Sequence, residues 1–206
     1  MLSSAEFEAM AERIFEFHRK RAPGIYIGIA MVDRALDELG PVTEKLNVYA
    51  ETQACLSDVI QIMTGCTTGN RYLRVLKCLG RFAVTVFDRA DGRGVRVSVD
   101  LTKIDIERMP ETSRFFHRQR DPAVQAGGPA REASGMKIME EFRQFGKELL
   151  RVQKVRVRDY GKPPMIAAAV CCDCGESYLK RDEMHVKCDF CSGTTPYFFV
   201  EEGRVC

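Results

Sequence analysis

The chain has 206 residues, of which 45% are hydrophobic and 29% are charged, and its formal net charge is +2. This composition is typical of a globular protein, and so small a net charge gives no electrostatic reason to expect a nucleic-acid or membrane partner. No apolar run approaches the roughly 20 residues of a membrane-spanning helix. Charged residues interrupt the N-terminal segment, which is unlike a secretory signal peptide. We therefore expect a cytoplasmic protein whose cysteines stay reduced.

Two helices are predicted at the N-terminus. Ser3 and Glu6 match a capping box, and the apolar residues after them recur on one helical face, with His18 at its edge. Residues 21–24, Arg-Ala-Pro-Gly, predict a break, because proline disfavours helical geometry in the residue before it. A second, more apolar helix is predicted over residues 25–39.

The middle of the chain mixes strand and helix patterns. Alternating apolar residues or β-branched runs predict four strands, over residues 46–50, 72–77, 81–88 and 94–100. Helical patterns predict a short helix over residues 55–64, another short helix followed by a loop within residues 115–135, and an amphipathic helix over residues 136–151. Helices and strands do not alternate regularly as in a parallel sheet, so the expected class is α+β, with a mainly antiparallel sheet packed against helices.

The sequence changes character after Arg151. Val155 and Val157 alternate with basic residues, as in a half-exposed strand whose basic face contacts solvent. The segment Lys162–Pro164 is the best candidate for a linker. We therefore predict a core domain over residues 1–162 and a small C-terminal domain over residues 163–206.

Four cysteines near the C-terminus have the spacing of a metal site. Two Cys-x-x-Cys pairs, separated by thirteen residues, supply the thiolates of Cys171, Cys174, Cys188 and Cys191. Each pair can reach one ion across a tight turn, and two pairs complete the tetrahedron that zinc prefers. A segment this short also needs a metal or disulfides to fold, because its hydrophobic core is too small. The pattern predicts one structural Zn²⁺ per chain in a zinc-ribbon or treble-clef-like finger.

Other interpretations of this cluster stay open at the level of sequence. Cys172 could replace Cys171 only by shortening the first spacing, and His185 could compete as a ligand. The same thiolates could bind an iron–sulfur cluster, or one pair could act in redox chemistry. The two-pair arrangement is better explained by shared coordination of one ion.

The N-terminal part carries motifs of a known family. Residues 17–24, Phe-His-Arg-Lys-Arg-Ala-Pro-Gly, resemble the motif Phe-His-Gly-His-x-Cys-Pro-Gly, and residues 54–70 resemble the segment that follows it, with Thr-Gly-Cys-Thr-x-Gly. The strand around residues 79–89 and the Cys-x-x-Cys-Gly-Glu knuckle also match. The chain thus resembles the FmdE family, which takes its name from formylmethanofuran dehydrogenase. That resemblance implies an α+β core followed by a zinc finger, a homodimer, and association with a molybdenum or tungsten formylmethanofuran dehydrogenase-type enzyme.

The resemblance also implies a second metal or catalytic site in the core domain. His18, Cys55 and Asp58 match family positions and are the catalytic candidates, and a second divalent metal is expected near His18 and Cys55. The second histidine of the motif is Lys20 here, and the motif cysteine is Ala22. Neither residue is expected to ligate, because lysine is a charged donor and alanine has no ligand atom. The N-terminal metal motif is therefore degenerate.

These observations favour a metal-binding accessory or enzyme-like protein linked to one-carbon metabolism of the methanogenesis type. The alternative is a nucleic-acid-binding or regulatory zinc-finger protein, against which the near-neutral charge and the few aromatic residues beside the basic ones count. A third interpretation is a scaffold protein whose cleft has lost its chemistry. The finger could pack on its own chain or be exchanged between two chains of a dimer.

Overall fold

The two N-terminal helices begin and end at their local signals. The computed structural model describes residues 1–146, 148–162, 164–195 and 197, with α1 at Ser4–His18 and α2 at Pro23–Leu39. The Ser3 side chain accepts a hydrogen bond from the Glu6 backbone, and the Glu6 carboxylate accepts one from the Ser3 backbone at 2.8 Å, which is the predicted capping box. Ala22 is extended before Pro23, so the helices separate at the predicted break.

Five strands form one sheet in the order β2-β1-β3-β4-β5. Their bounds are β1 Leu46–Ala50, β2 Leu73–Val75, β3 Ala83–Asp88, β4 Arg93–Val99 and β5 Leu150–Arg156. β1 runs parallel to β2, whereas the β1–β3, β3–β4 and β4–β5 pairs are antiparallel. The predicted α+β class with a mainly antiparallel sheet is therefore confirmed.

The helices between β4 and β5 differ from the prediction at both ends of the long one. After a 3₁₀ turn at Leu101–Lys103, the helices are α4 Pro110–Phe116, α5 Pro122–Ala126 and α6 Gly128–Phe145. The predicted loop before residue 136 was wrong, because α6 already begins at Gly128 with a proline in its first turn. The predicted helix end at residue 151 was also wrong. Leu150 and Arg151 pair with Val99 and Ser98 in the sheet, so ladder hydrogen bonds override the helical pattern there.

Helix α2 forms the centre of the core and brings the next helix close to α1. It packs against β3 and β4 and against α1, α6 and the short helix α3, Leu56–Thr64. Gly28 makes this approach possible, because a Cβ atom there would lie 3.0 Å from Cγ2 of Val59 and 3.3 Å from Cδ1 of Leu56. The N-terminus of α3 consequently lies beside the C-terminus of α1, where the predicted site residues are.

The described residues divide into two compact units, residues 1–161 and a second unit starting at Lys162. The second unit contains an antiparallel pair of short strands, β6 Ala168–Val170 and β7 Ser177–Leu179. The assignment of residues 1–162 and 163–206 as separate domains stays a prediction, and residues 163, 196 and 198–206 of the second one lie outside the described residues. Within the described part of the chain, none of the helices is both long and apolar enough to span a membrane.

Candidate functional site

The four predicted cysteines meet in the second unit. The Sγ atoms of Cys171, Cys174, Cys188 and Cys191 all lie within 4.8 Å of one another. Each pair lies in a tight turn: the N–H of Gly175 donates to the carbonyl of Cys171 at 3.0 Å, and that of Ser192 to the carbonyl of Cys188 at 3.0 Å. Gly175 has a φ of 75°, which favours glycine in the first turn. This group could hold a metal ion.

Backbone dipoles prepare the cluster for thiolate ligands. The N–H of Cys188 donates to Sγ of Cys171 at 3.4 Å, and the N–H of Cys191 donates to Sγ of Cys188 at 3.4 Å. Hydrogen bonds from the backbone of Cys174 and Cys188 lower the pKa of the Cys171 thiol to about 6. A thiolate is the form that binds a metal ion, so this polarity suits coordination.

The two competing ligands lie outside the group of four. Cys172 is exposed, and its thiol contacts the Asp173 carboxylate at 3.4 Å. His185 accepts a hydrogen bond at Nδ1 from the Arg181 backbone at 3.2 Å, and its ring packs on Tyr178 with 4.9 Å between centroids. The ring of His185 is therefore used in local packing.

The core-domain candidates also come together, although they are 40 residues apart in sequence. Nδ1 of His18 lies 2.6 Å from Oδ2 of Asp58, and Nε2 of His18 lies 3.8 Å from Sγ of Cys55. His18 is the last residue of α1, Cys55 directly precedes α3, and Asp58 lies in the first turn of α3. Asp58 thus orients the imidazole ring so that its other nitrogen faces the thiol.

The surroundings of Cys55 keep its thiol protonated. Burial raises the pKa of Cys55, the Asp58 carboxylate raises it further, and the Lys20 ammonium opposes both effects. Cys55 has a φ of 31°, which is in the left-handed region that side chains rarely adopt. Gly24 lies directly against it, because a Cβ atom at Gly24 would be 3.0 Å from the Cys55 sulfur.

The residues near His18 do not complete a second tight metal site. His18 presents one ring nitrogen to Asp58 and the other to Cys55, so a single ion cannot take ligands from all three without rearrangement. Within the described residues, the four-cysteine cluster is the only group of three or more ligand atoms with metal-binding spacing. Lys20 and Ala22 add no ligand, in agreement with the degenerate motif.

The small-residue loop after α3 satisfies its own polar groups. The N–H of Thr67 donates to Oδ1 of Asn70 at 2.9 Å, and the N–H of Asn70 donates to Oγ1 of Thr67 at 3.0 Å. Cys66 is buried, and its thiol donates to the carbonyl of Leu46 at 3.4 Å. Both features act as packing and as a tight connection.

Sequence reasoning missed an arginine-lined cavity beside Cys55. Its arginines come from separate segments of the chain and were not recognised as one group: Arg81, Arg96, Arg118, Arg120 and Arg151. Behind it, Glu51 is buried and pairs with Arg96 at 2.7 Å and with Arg81 at 2.6 Å. Burial alone would raise the pKa of Glu51, but these ion pairs lower it. Only the fold brings the arginines together.

Comparison with known proteins gives consistent relatives. A crystal structure of a tungsten formylmethanofuran dehydrogenase FmdE-like protein from Syntrophus aciditrophicus is 30% identical, with a TM-score of 0.76, and the match covers 95% of this chain and 96% of that chain. A probable S-adenosyl-L-methionine-binding protein from Archaeoglobus fulgidus is 28% identical over 206 residues, which cover 93% of this chain. The chain spans about half of that relative's length, 54%.

The family match covers most of the core unit. Residues 17–159 match the sequence model of FmdE, described as belonging to the molybdenum formylmethanofuran dehydrogenase operon. This range includes His18, Cys55 and Asp58 and all five strands of the sheet. The chain therefore belongs to the FmdE family.

Proposed function

We propose that this protein is a zinc-binding accessory or enzyme-like member of the FmdE family, linked to one-carbon metabolism of the methanogenesis type. The observation that carries the proposal is the meeting of four cysteine Sγ atoms within 4.8 Å in a chain of this family. Its partner would be a molybdenum or tungsten formylmethanofuran dehydrogenase-type enzyme, as the names of the family and of the Syntrophus relative suggest.

The role of the ion in the cysteine cluster would be structural. Four thiolates form the donor set that zinc prefers, and they leave no open coordination position for a substrate. The second unit has little apolar core of its own, since Met165 and Met184 are 90% and 88% exposed. Zinc binding contributes about 10–16 kcal/mol of apparent free energy in small fingers. The ion would therefore replace the missing core.

The core-domain group supports the enzyme-like part of the proposal. His18 can accept the Cys55 proton at Nε2, while the Asp58 carboxylate holds the ring at Nδ1 and favours the charged imidazolium. The chemistry available is thus proton transfer at a cysteine thiol, and a second divalent ion would bind weakly with only His18 and Cys55. A ligand or a second chain of a homodimer would be needed to complete a metal site here.

Metal content per chain, measured by elemental analysis, tests the zinc assignment. We expect one zinc in the native protein and none in the Cys188→Ser, Cys191→Ser double variant. Cys172→Ser is the matched control, because Cys172 is a neighbouring cysteine outside the cluster, and it should keep one zinc. A native protein without zinc, or zinc in the native protein that the double variant retains, would contradict the structural assignment.

The assembly is tested on the zinc-loaded protein. Sedimentation equilibrium should give the mass of two chains if the protein is a homodimer, and the mass of one chain would contradict it. Association with the dehydrogenase-type enzyme is tested by affinity purification from the native cells. Failure of its molybdenum- or tungsten-containing subunit to copurify, under conditions that keep the zinc bound, would count against this partner.

A further inference from the structure

A large cavity opens in the core unit next to the cysteine thiol. Its volume is about 830 Å³, and Cys55 and Gly24 form part of its wall. Five arginine side chains line it, and none of the lining residues is aspartate, glutamate or lysine. Such a concentration of guanidinium groups in a concave space attracts anions and favours planar, bidentate contacts to carboxylate or phosphate.

Two buried carboxylates neutralise only part of this charge. Glu51 pairs with Arg81 and Arg96, and Asp100 pairs with Arg151 at 3.0 Å. Both acidic residues lie behind the wall, with exposed fractions of 4% and 8%. Five arginines therefore face the cavity against two carboxylates, so the cavity keeps an excess of positive charge.

The remaining two arginines have no ion pair among the described contacts. Arg120 donates through Nη2 to the Ser134 hydroxyl at 2.9 Å, but its Nε is buried without a hydrogen-bond partner in the described residues. Its guanidinium lies over the Phe115 ring, 5.5 Å from the centroid. A buried donor without an acceptor is costly, and an incoming anion would satisfy it. Arg118 is exposed and has a φ of 56°, an uncommon conformation for a residue other than glycine.

The rest of the wall is apolar. Phe82 and Phe116 are in edge contact at 6.3 Å, and Phe115 and Phe116 at 5.2 Å. All three rings line the same cavity as the arginines. A ligand that fits both parts has an apolar or aromatic body and more than one negative charge.

We propose that this cavity binds a small organic anion, with carboxylate or phosphate groups held by the arginines and its apolar body on the phenylalanine rings. The ligand lies beside Cys55, so the inference names the substrate class of the site in the proposed function and rests on that function for its chemical role. The positive charge of Arg118 and Arg120 is the main determinant of affinity.

Calorimetric titration of the full zinc-loaded chain tests binding with defined probes. Phenyl phosphate and phthalate are aromatic dianions that differ in the anionic group, and benzyl alcohol is the neutral control. We expect saturable binding of one or both dianions, weakened by added salt, and no binding of benzyl alcohol. Preference for one dianion distinguishes phosphate from carboxylate recognition. Absence of binding by both, or equal binding of benzyl alcohol, would overturn the proposal.

Variants separate the cavity from the rest of the surface. Arg118→Gln should weaken the preferred dianion by about tenfold, the loss expected for one charge-assisted contact, and the exposed Arg118 side chain is not needed for packing. Arg120→Gln should weaken it as well, provided that its thermal unfolding is unchanged. Arg13→Gln, at an exposed position on α1, is the matched control and should bind like the native protein. Unchanged binding by Arg118→Gln would contradict the proposal.

A chemical readout locates the ligand relative to the thiol. The bound dianion should slow alkylation of Cys55 by iodoacetamide, and equal rates with and without the dianion would exclude a position beside Cys55. Binding by a Cys55→Ala variant should persist, because the arginines supply the affinity. Failure of the zinc assignment or of thiol chemistry would leave these binding results unchanged, so the two proposals fail separately.

Discussion

Nδ1 of His18 lies 2.6 Å from Oδ2 of Asp58, a contact that joins the last residue of α1 to the first turn of α3. Both side chains are partly exposed, at 23% and 29%. The contact leaves Nε2 of the ring facing Cys55 at 3.8 Å. Two helix ends, each near a break in the chain, therefore assemble one cysteine–histidine–aspartate group.

Removal of the Asp58 charge should make Cys55 more reactive. Asp58 is one of the groups that raise the Cys55 pKa, after burial, so Asp58→Asn should lower that pKa and move the alkylation profile to lower pH. The rate at neutral pH should rise severalfold, because the thiolate is the nucleophile. The measurement is the pH dependence of iodoacetamide modification, followed at the Cys55 peptide by mass spectrometry.

Lys20→Gln is the control of opposite sign for this prediction. The Lys20 ammonium lowers the Cys55 pKa, so its loss should move the profile to higher pH. Shifts in the same direction for both variants would show that structural disturbance, and not charge, controls the thiol.

Substitution of Gly24 by alanine should disturb Cys55 specifically. The new Cβ atom would lie 3.0 Å from the sulfur and 3.1 Å from Cβ of Cys55, so α2 or the thiol must move. We expect a destabilisation of about 1–3 kcal/mol, the usual cost of overpacking. Urea unfolding measures this free energy.

Gly135→Ala is the matched control, also within a helix. Its new Cβ would meet only Cδ of Pro23 at 3.5 Å, an ordinary contact. It should stabilise the protein by about 0.5–1 kcal/mol, because glycine is unfavourable inside a helix. Equal destabilisation by the two alanines would show that the contact with Cys55 is not the cause.

Loss of the His185 imidazole should leave the metal content unchanged. Its ring contacts Tyr178 and accepts a hydrogen bond from the Arg181 backbone, and it is outside the group of four sulfur atoms. His185→Ala should therefore keep one zinc per chain, whereas Cys188→Ser should lose it or bind it far more weakly. Elemental analysis after dialysis separates the two cases. Loss of zinc from His185→Ala, with the fold intact by circular dichroism, would make the histidine a ligand.

Asp88 should make folding sensitive to acid. Burial would raise its pKa, but hydrogen bonds from the Thr43 hydroxyl and from backbone N–H groups, including that of Ala90, lower the pKa to about 2. A lowered pKa in the folded state stabilises the protein above the ordinary aspartate pKa of 3.8, and this stability is lost as pH falls toward 2. Asp88→Asn should cost about 1–3 kcal/mol at neutral pH, because it leaves buried donors without their acceptor.

The pH profile of urea unfolding tests the Asp88 prediction. The native protein should lose stability as the pH falls from about 4 toward 2, and Asp88→Asn should lose less over this interval. Glu132→Gln, at an exposed carboxylate, should follow the native profile. Parallel profiles for the native protein and Asp88→Asn would show that Asp88 does not contribute to acid unfolding.

Local patterns in the sequence determined the elements whose signals lie within a few residues. The capping box at Ser3, the break at Pro23 and the strand alternation of residues 46–50 predicted the structure that is observed. The spacing of the two cysteine pairs likewise predicted the group of four, because each turn is closed by hydrogen bonds within one knuckle.

Only the tertiary structure decided where α6 ends, how Asp58 orients His18, and which arginines share a cavity. Leu150 leaves its helical pattern because β4 offers ladder partners that are about 50 positions away in the chain. Arg81, Arg96, Arg118, Arg120 and Arg151 line one space although they come from separate segments. No local pattern encodes such long-range contacts, because they form only when the packing of α2 on the sheet brings distant segments together.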